Sequence, residues 1–499
     1  MSRKHKLMLN TITSAIYRFT LIICGFIVPR LLISHFGSKI NGLTASISQF
    51  LNFVTLLDMG VGSVVQSALY KPLAAKDDKS ISKIIKSSNK FFNSIAIILL
   101  IYTFVLAILY PLTVRQNFSF LFTASLVLAI SVSVYAQYFL GMTYRLLLYA
   151  DQKSYVYLVL QTVVVIINTI CTALLVYFDC SINIIKLSSS IVFLATPLLI
   201  IFYVSKHYHI DKKIQFTDEP IKQKWNGLAQ HIAYSVNNNT DVVVLTILSS
   251  LENVSIYNVY HLVINGIYSF VSSLTVGIRA LLGDMYAKNE TKALNERFNQ
   301  LEWGMHTVTT LLFTVTAILI VPFVRVYTKG INDADYKAPL FAIIITASEA
   351  VLCLQFPYNT MVQAAGHFKQ TQLSSIIQAL INIVISIITV IKFGLVGVAI
   401  GTSIAMSYQL IYLVYYLRKN ILNRSCKYFI KQLFTDIIIA GIIVTITNSF
   451  AKFFMLSNVT YYSWIVLSIK VFVMSLFVSI IVNLVLYKNV VFGMIKTKR

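Results

Sequence analysis

The chain has 499 residues, 57% of them hydrophobic and only 12% charged. A soluble protein of that size could not hide so much apolar surface, and the apolar runs are continuous rather than alternating, which excludes a β-barrel. The formal net charge of +23 does not mark a nucleic-acid binder, because the lysines cluster in short segments between apolar runs, where the positive-inside rule puts them.

The predicted elements are membrane-spanning helices, each needing ~20 mostly apolar residues. The N-terminal MSRKHKLMLN is basic. The apolar segment after it is too long for a signal-peptide core and has no small-residue cleavage site, so it reads as an uncleaved first span. The apolar runs predict about fourteen spans, near 10–36, 40–70, 84–111, 118–146, 154–178, 182–205, 226–250, 254–286, 300–328, 338–364, 370–392, 395–417, 428–454 and 461–487. Between the sixth and seventh lies KHYHIDKKIQFTDEPIKQK, Lys206 to Lys224, the longest window without an apolar run. Residues 206–225 therefore read as a cytoplasmic connector between an N-lobe (1–205, spans 1–6) and a C-lobe (226–418, spans 7–12). Residues 419–499 add two C-terminal spans and a basic tail.

Alternating from an inner N-terminus, the outer segments hold Arg30, Lys39, Arg115, Lys186, Arg325, Lys329, Lys337, Lys392 and Lys452, and three cations, Arg18, Arg279 and Lys470, lie within spans. The rest of the 41 Lys and Arg are inner, which places both termini in the cytoplasm. Lys470 reads as snorkelling or packing against a neighbour. An even number of spans per lobe gives both lobes one orientation, so any repeat is of the parallel kind.

Polar stripes interrupt several spans. Span two carries Ser48, Asn52, Thr55, Asp58, Gly62 and Gln66 at three- and four-residue steps, one face of a helix. Span seven carries Gln230, Tyr234, Asn237 and Asp241, thickened by Asn238, Asn239 and Thr240. Span eight carries Asn258, His261, Asn265, Ser269, Ser272 and Arg279, and span one adds Ser14 and Arg18. A single polar residue serves helix packing, but whole stripes with ionisable groups imply a water-filled cavity between the lobes. The candidate substrate-binding residues are Arg18, Asn52, Asp58, His261, Asn265, Arg279 and Glu349. The span interiors balance three acids, Asp58, Asp241 and Glu349, against three cations. The charges either meet an anionic substrate or pair structurally as Arg18–Asp58 and Arg279–Glu349.

A second constellation comes from depth. Asp241 lies roughly 22 Å up span seven and Asn382 roughly 18 Å up span eleven, at 1.5 Å per residue. Ser386 follows one turn beyond Asn382, and Thr402, one turn from Val398, enters at similar depth from the outer side. A carboxylate, an amide oxygen, hydroxyls and a backbone carbonyl are hard oxygen ligands, suited to Na⁺ or to a proton shared at Asp241. The plainer reading is that Asp241 hydrogen-bonds within the Asn237–Thr240 run. The five cysteines show no CxxC spacing, and His207 and His209 in the connector read as solvated, so no disulfide frame, metal site or other cofactor is expected. No P-loop, GxSxG or HExxH is present, and the expectation is a non-enzyme.

The segments HFGSKINGL (35–43), LDMGVGSVVQSALYKPLAAKDD (57–78), ADQKSYV (150–156), TDVVVL (240–245), AAGHFKQTQ (364–372) and FGLVGVAIGT (393–402) together resemble the polysaccharide (oligosaccharide, Wzx-like) flippases of the multidrug/oligosaccharidyl-lipid/polysaccharide (MOP) exporter superfamily. The resemblance covers nearly the whole chain. It implies an all-α, MATE-like fold of about fourteen transmembrane helices, with two pseudo-symmetric six-helix lobes around a V-shaped cavity. It implies alternating access in a bacterial cytoplasmic membrane. The implied substrate is an undecaprenyl-diphosphate-linked oligosaccharide repeat unit destined for capsule, exopolysaccharide or another cell-surface polysaccharide. Membrane lipids, a polysaccharide polymerase and glycosyltransferases are the implied partners. The Asp241 constellation is similar to the sodium site of the lipid II flippase branch, which has a second carboxylate where Ser386 stands. Three other readings are a MATE-type drug/cation antiporter, which normally stops at twelve spans, a lipid II flippase, and a membrane glycosyltransferase or polymerase. The last would need catalytic acids or a large outer loop, and the longest outer loop here, around Lys329 to Pro339, is short.

Overall fold

A computed structural model describes residues 3–53, 59–211, 213–215, 239–275 and 278–487. Every regular element among them is helical. In chain order these are α1 (Arg3–Asn52), α2 (Met59–Ala75), α3 (Asp78–Thr113), α4 (Phe120–Ala136), a π-helical turn (Gln137–Gly141), α5 (Met142–Ala150), α6 (Ser154–Tyr177), α7 (Ile182–His207), α8 (Asn239–Leu248), α9 (Leu251–Ser273), α10 (Ile278–Ala287), α11 (Thr291–Tyr327), α12 (Pro339–Leu354), α13 (Phe356–Ala364), α14 (Phe368–Phe393), α15 (Leu395–Asn420), α16 (Lys427–Ser449) and α17 (Tyr461–Leu486).

Among the described residues, eleven helices are long and apolar enough to cross a membrane. The expected spans map onto these helices with one correction. Spans one and two meet inside α1 at a kink, where Gly37 has the non-helical φ 83° and ψ 174°. Span eight is divided between α9 and α10, whereas span ten runs through α12 and α13 as one membrane-length stretch, Pro339–Ala364. The α9 helix falls outside the eleven because its polar stripe lowers its apolarity. Expected span seven is described only from residue 239, and most of the connector (212 and 216–225) and the basic tail (488–499) lie outside the described residues.

The chain divides into two compact units, Met1–Asn239 and Thr240–Arg499. In the first, α1 packs on α6, α4 on α3 and α7, and α6 on α7. In the second, α15 packs on α12 and α14, and α11 on α12, α16 and α17. Both units turn large apolar side chains outward, such as Ile101 and Phe104 on α3, Ile388 and Ile391 on α14, and Phe477 and Val485 on α17. Outward apolar faces of that extent are what hydrocarbon requires.

The ADQKSYV segment staples one end of the first unit. Lys6 Nζ donates to the Asp151 carbonyl (3.0 Å) and to its Oδ1 (3.2 Å). Tyr208 OH donates to Asp151 Oδ2 (2.6 Å), and Lys153 Nζ lies 2.8 Å from the same oxygen. Asn10 closes the ring by donating to the Gln152 carbonyl (3.0 Å) and accepting from Tyr155 N–H (2.9 Å). Burial pushes the Asp151 carboxyl up, but the bonds from Lys153 and Tyr208 outweigh it and hold the group below its ordinary value.

Candidate functional site

The second unit builds a buried oxygen cluster from α8, α9, α14 and α15. Helices α14 and α15 form a hairpin turned by Gly394 at φ 50°, a conformation that favours glycine. Gly397 and Gly401 then let the two backbones touch: a Cβ at Gly397 would strike the Thr389 carbonyl, and one at Gly401 would lie 2.8 Å from Ser386 N. That approach is the small-residue packing common between membrane helices. It brings Val398 and Thr402 of α15 against Asn382 and Ser386 of α14.

Asp241 on α8 completes the cluster and is only 4% exposed. Its Oδ2 accepts from Thr402 Oγ1 (2.8 Å) and Tyr257 OH (3.1 Å), and its Oδ1 from Asn382 Nδ2 (3.4 Å). Ser386 Oγ donates to Asn382 Oδ1 (3.1 Å) and lies 3.5 Å from the Val398 carbonyl. Thr402 Oγ1 lies 3.2 Å from that same carbonyl. The structure thus brings together Asp241, Asn382, Ser386, Val398 and Thr402. The oxygens present are a carboxylate, an amide carbonyl, two hydroxyls and a backbone carbonyl, a donor set that fits a hard monovalent cation or a proton.

A second polar group adjoins the first along α9. The ring of His261 stacks on Tyr257, with centroids 5.1 Å apart. Asn265 Nδ2 donates to His261 Nδ1 (2.7 Å), and His261 Nε2 faces Glu349 Oε1 at 3.8 Å. Among the described residues Glu349 pairs with His261, so the expected Arg279–Glu349 pair is replaced. The physical reason is the break between α9 and α10: Arg279 sits on α10 and is exposed. Arg18 and Asn52 are exposed on α1. Asp58, Gln230, Tyr234, Asn237 and Asn238 lie outside the described residues, and so does the Arg18–Asp58 pairing.

Two features go beyond the sequence reading. Tyr257 supplies a hydroxyl to Asp241; its signal was present, since 257, 261 and 265 step by one helical turn. The balance of three acids to three cations also omits Glu302 on α11 and Asp436 on α16. Glu302 is fully buried and accepts from Tyr358 OH and from Arg424 Nη2 (2.6 Å). Asp436 Oδ2 lies 2.5 Å from His306 Nδ1. These pairs fasten α16 and the loop before it onto α11. Burial works against the Arg424 charge, but the hydrogen bond and charge of Glu302 outweigh it and raise its pKa.

A family model described as MatE matches residues 228–388. No curated protein sequence matches the chain. The chain is similar to the structure of the lipid II flippase MurJ in an inward closed conformation, with TM-score 0.73 and 18% identity over 97% of this chain and 100% of that one. It is also similar to an inward-facing multidrug resistance MATE family transporter of the MOP superfamily (TM-score 0.63, 12% identity, 82% and 99% covered). A Vibrio cholerae MATE transporter, VcmN, shares the fold at TM-score 0.57 and 15% identity, with 85% and 98% covered. The protein is therefore a multi-pass, all-helical membrane protein with the fold of MurJ and the MATE transporters.

Proposed function

We propose that the protein is a flippase that carries undecaprenyl-diphosphate-linked oligosaccharide repeat units across the bacterial cytoplasmic membrane by alternating access, for a cell-surface polysaccharide. The observation that carries this reading is the buried Asp241 cluster in a chain that MurJ matches over 97% of its length. A diphosphate and its sugars cannot cross ~30 Å of hydrocarbon unaided, and an ion gradient is the natural drive for a carrier with no nucleotide-binding motif. Na⁺ or H⁺ would bind at Asp241, with Asn382, Ser386, Thr402 and the Val398 carbonyl turning their lone pairs inward as the hydroxyl protons swing away. Arg18 and Arg279 would meet the diphosphate, since a guanidinium offers a planar fork of donors to phosphate. Asn52, Asp58, His261, Asn265 and Glu349 would contact the glycan. Membrane lipids, a polymerase and glycosyltransferases remain the expected partners, and no covalent chemistry is required.

The test is transport of lipid-linked glycan in proteoliposomes under imposed Na⁺ and proton gradients. The wild type should respond to one gradient and Asp241→Asn should lose that response. A wild type indifferent to both, or a variant that responds equally, overturns the coupling site. Arg18→Ala with Arg279→Ala should abolish transport at normal protein level, and intact transport overturns the headgroup role. A second reading, lipid II itself as substrate, is favoured by the MurJ coverage, whereas the MATE structures leave roughly a sixth of the chain unmatched. Sidedness of lipid II and of lipid-linked oligosaccharide in vesicles from a null mutant separates the two.

A further inference from the structure

The loop between α11 and α12 is tied to α9 beside the Asp241 cluster. Its residue Tyr336 is only 4% exposed, and Ser255 and Tyr260, which meet it, are fully buried. Tyr336 OH and Ser255 Oγ lie 2.8 Å apart and share a hydrogen bond. Tyr260 OH uses both of its roles: it donates to the Tyr336 carbonyl (2.9 Å) and accepts from Ala338 N–H (3.2 Å). Ala338 is the N-cap of α12, and Pro339 is its first helical residue. A helix start leaves N–H groups without intrahelical partners. The proline removes one of them, and the Tyr260 hydroxyl serves the N-cap N–H as the acidic residue of a capping box does elsewhere.

Ring contacts lead from this clamp to the cluster. Phe341 on α12 is fully buried. It meets the Tyr260 ring edge-on, with centroids 5.4 Å apart, and the Tyr257 ring at 6.0 Å. Tyr257 and Tyr260 share a face of α9, and Tyr257 OH donates to Asp241 Oδ2 at 3.1 Å. A close-packed interior transmits displacement from one ring to the next. The placement of the start of α12 therefore sets where the Tyr257 hydroxyl points. Its oxygen is a hard donor like the others of the cluster. Once its hydrogen swings away from Asp241, a lone pair faces any cation held there.

We propose that Tyr260 and Tyr336 are positioning residues for the Asp241 site: the clamp on the α11–α12 loop holds Tyr257 within reach of the bound cation and so sets the affinity for it. The inference rests on the reading of Asp241 as a Na⁺ site. Both residues act through Phe341 and Tyr257 rather than by touching the cation. Linkage makes the effect reciprocal. A cation that binds more tightly to the clamped form holds the loop down in return, so the loop reports the occupancy of the site.

The experiment uses full-length protein in phosphatidylcholine nanodiscs, with Na⁺ as the probe and N-methylglucamine as the replacement cation. It reads radiolabelled Na⁺ binding and amide hydrogen exchange in residues 329–338. In the wild type at constant pH, saturating Na⁺ should slow exchange in the loop about fivefold, the low end of coupling between sites. Asp241→Asn should abolish both the binding and the slowing. Tyr260→Phe keeps the ring and loses the hydroxyl. It should weaken Na⁺ binding about fivefold, and its loop should exchange fast with or without Na⁺. Ser255→Ala leaves the tyrosines in place and should weaken binding by a smaller factor; it keeps the test valid if Tyr260→Phe is not monodisperse. A merely structural clamp would speed exchange in Tyr260→Phe and leave Na⁺ affinity as in the wild type. Na⁺ binding that Asp241→Asn removes but neither Tyr260→Phe nor Ser255→Ala weakens, or that leaves loop exchange in the wild type unchanged, overturns the clamp and leaves the cation site standing. A wild type that binds no Na⁺ overturns the Na⁺ site and this inference with it.

Discussion

In the first unit, α4, α5, α6 and α7 line an open cavity whose walls are mostly apolar, whereas in the second unit the polar atoms between α8, α9, α14 and α15 bond directly to one another. The difference begins in the backbone. In the first set a π-turn and Pro197 interrupt the regular α-helical ladder where Gly141 meets Pro197, while Gly397 and Gly401 draw α14 and α15 into contact. The ionisable groups follow the same division: a guanidinium, Arg145, lines the open cavity, and a carboxyl, Asp241, sits in the closed cluster. A closed cluster is sensitive to any atom added or removed, and a cavity has slack to absorb the change.

The largest expected effect tests how far the closed style extends. Glu302→Ala would strand the Arg424 guanidinium and should destabilise the second unit by about 3–5 kcal/mol, read by chemical unfolding in mixed micelles. Replacing both partners by leucine should recover most of that loss. An unchanged unfolding midpoint in Glu302→Ala would show that water reaches the pair.

Matched glycine substitutions make the comparison sharpest. Gly401→Ala overpacks against the Ser386 backbone and should lose about 1–3 kcal/mol. Gly141→Ala meets only Pro197 beside the cavity and should lose less than about 1 kcal/mol by the same measurement. Equal losses would mean that the cavity gives no slack. Next in size, Thr402→Val removes a donor from buried Asp241 and should lower stability by about 1–2 kcal/mol, with a weaker response to the driving ion gradient in proteoliposomes.

The smallest effect concerns the staple at Asp151. Its carboxyl is held below the ordinary value, so its contribution is present above the unfolded pKa and is lost as pH falls through the folded one. The melting difference between wild type and Asp151→Asn should be full above about pH 5 and should close as pH drops below about 4. A difference that is constant with pH would show that Asp151 acts only through its backbone carbonyl to Lys6.

Much of the fold is legible in the hydropathy of the chain, because bilayer thickness sets one length scale for every helix. The Asp241 constellation is legible from depth alone, since rise per residue converts sequence position into height. What depth cannot show is rotation about the helix axis. Tyr257 therefore passes for an ordinary core aromatic, and Glu349 is matched to Arg279 when it faces His261. Arg145 is hidden for a different reason. It lies close to the end of its expected span, where every basic residue is counted towards topology. The glycines of FGLVGVAIGT read as a motif, but their purpose appears only when the partner helix α14 is in place. Glu302 sits near the edge of an apolar run and is discounted with the loop charges.

The ring of bonds joining Lys6, Asn10, Asp151 and Tyr208 also bears on how the chain is made. Lys6 and Asp151 are 145 residues apart, and the ring is complete only after Tyr208 has been synthesised. At an elongation rate of roughly 5–20 residues per second, the start of α1 waits on the order of ten seconds for its acceptors. During that interval the start of α1 has none of the bonds that residues 151–155 later supply. A fusion placed ahead of Lys6 would thus burden the insertion of the nascent chain more than it would burden the finished protein.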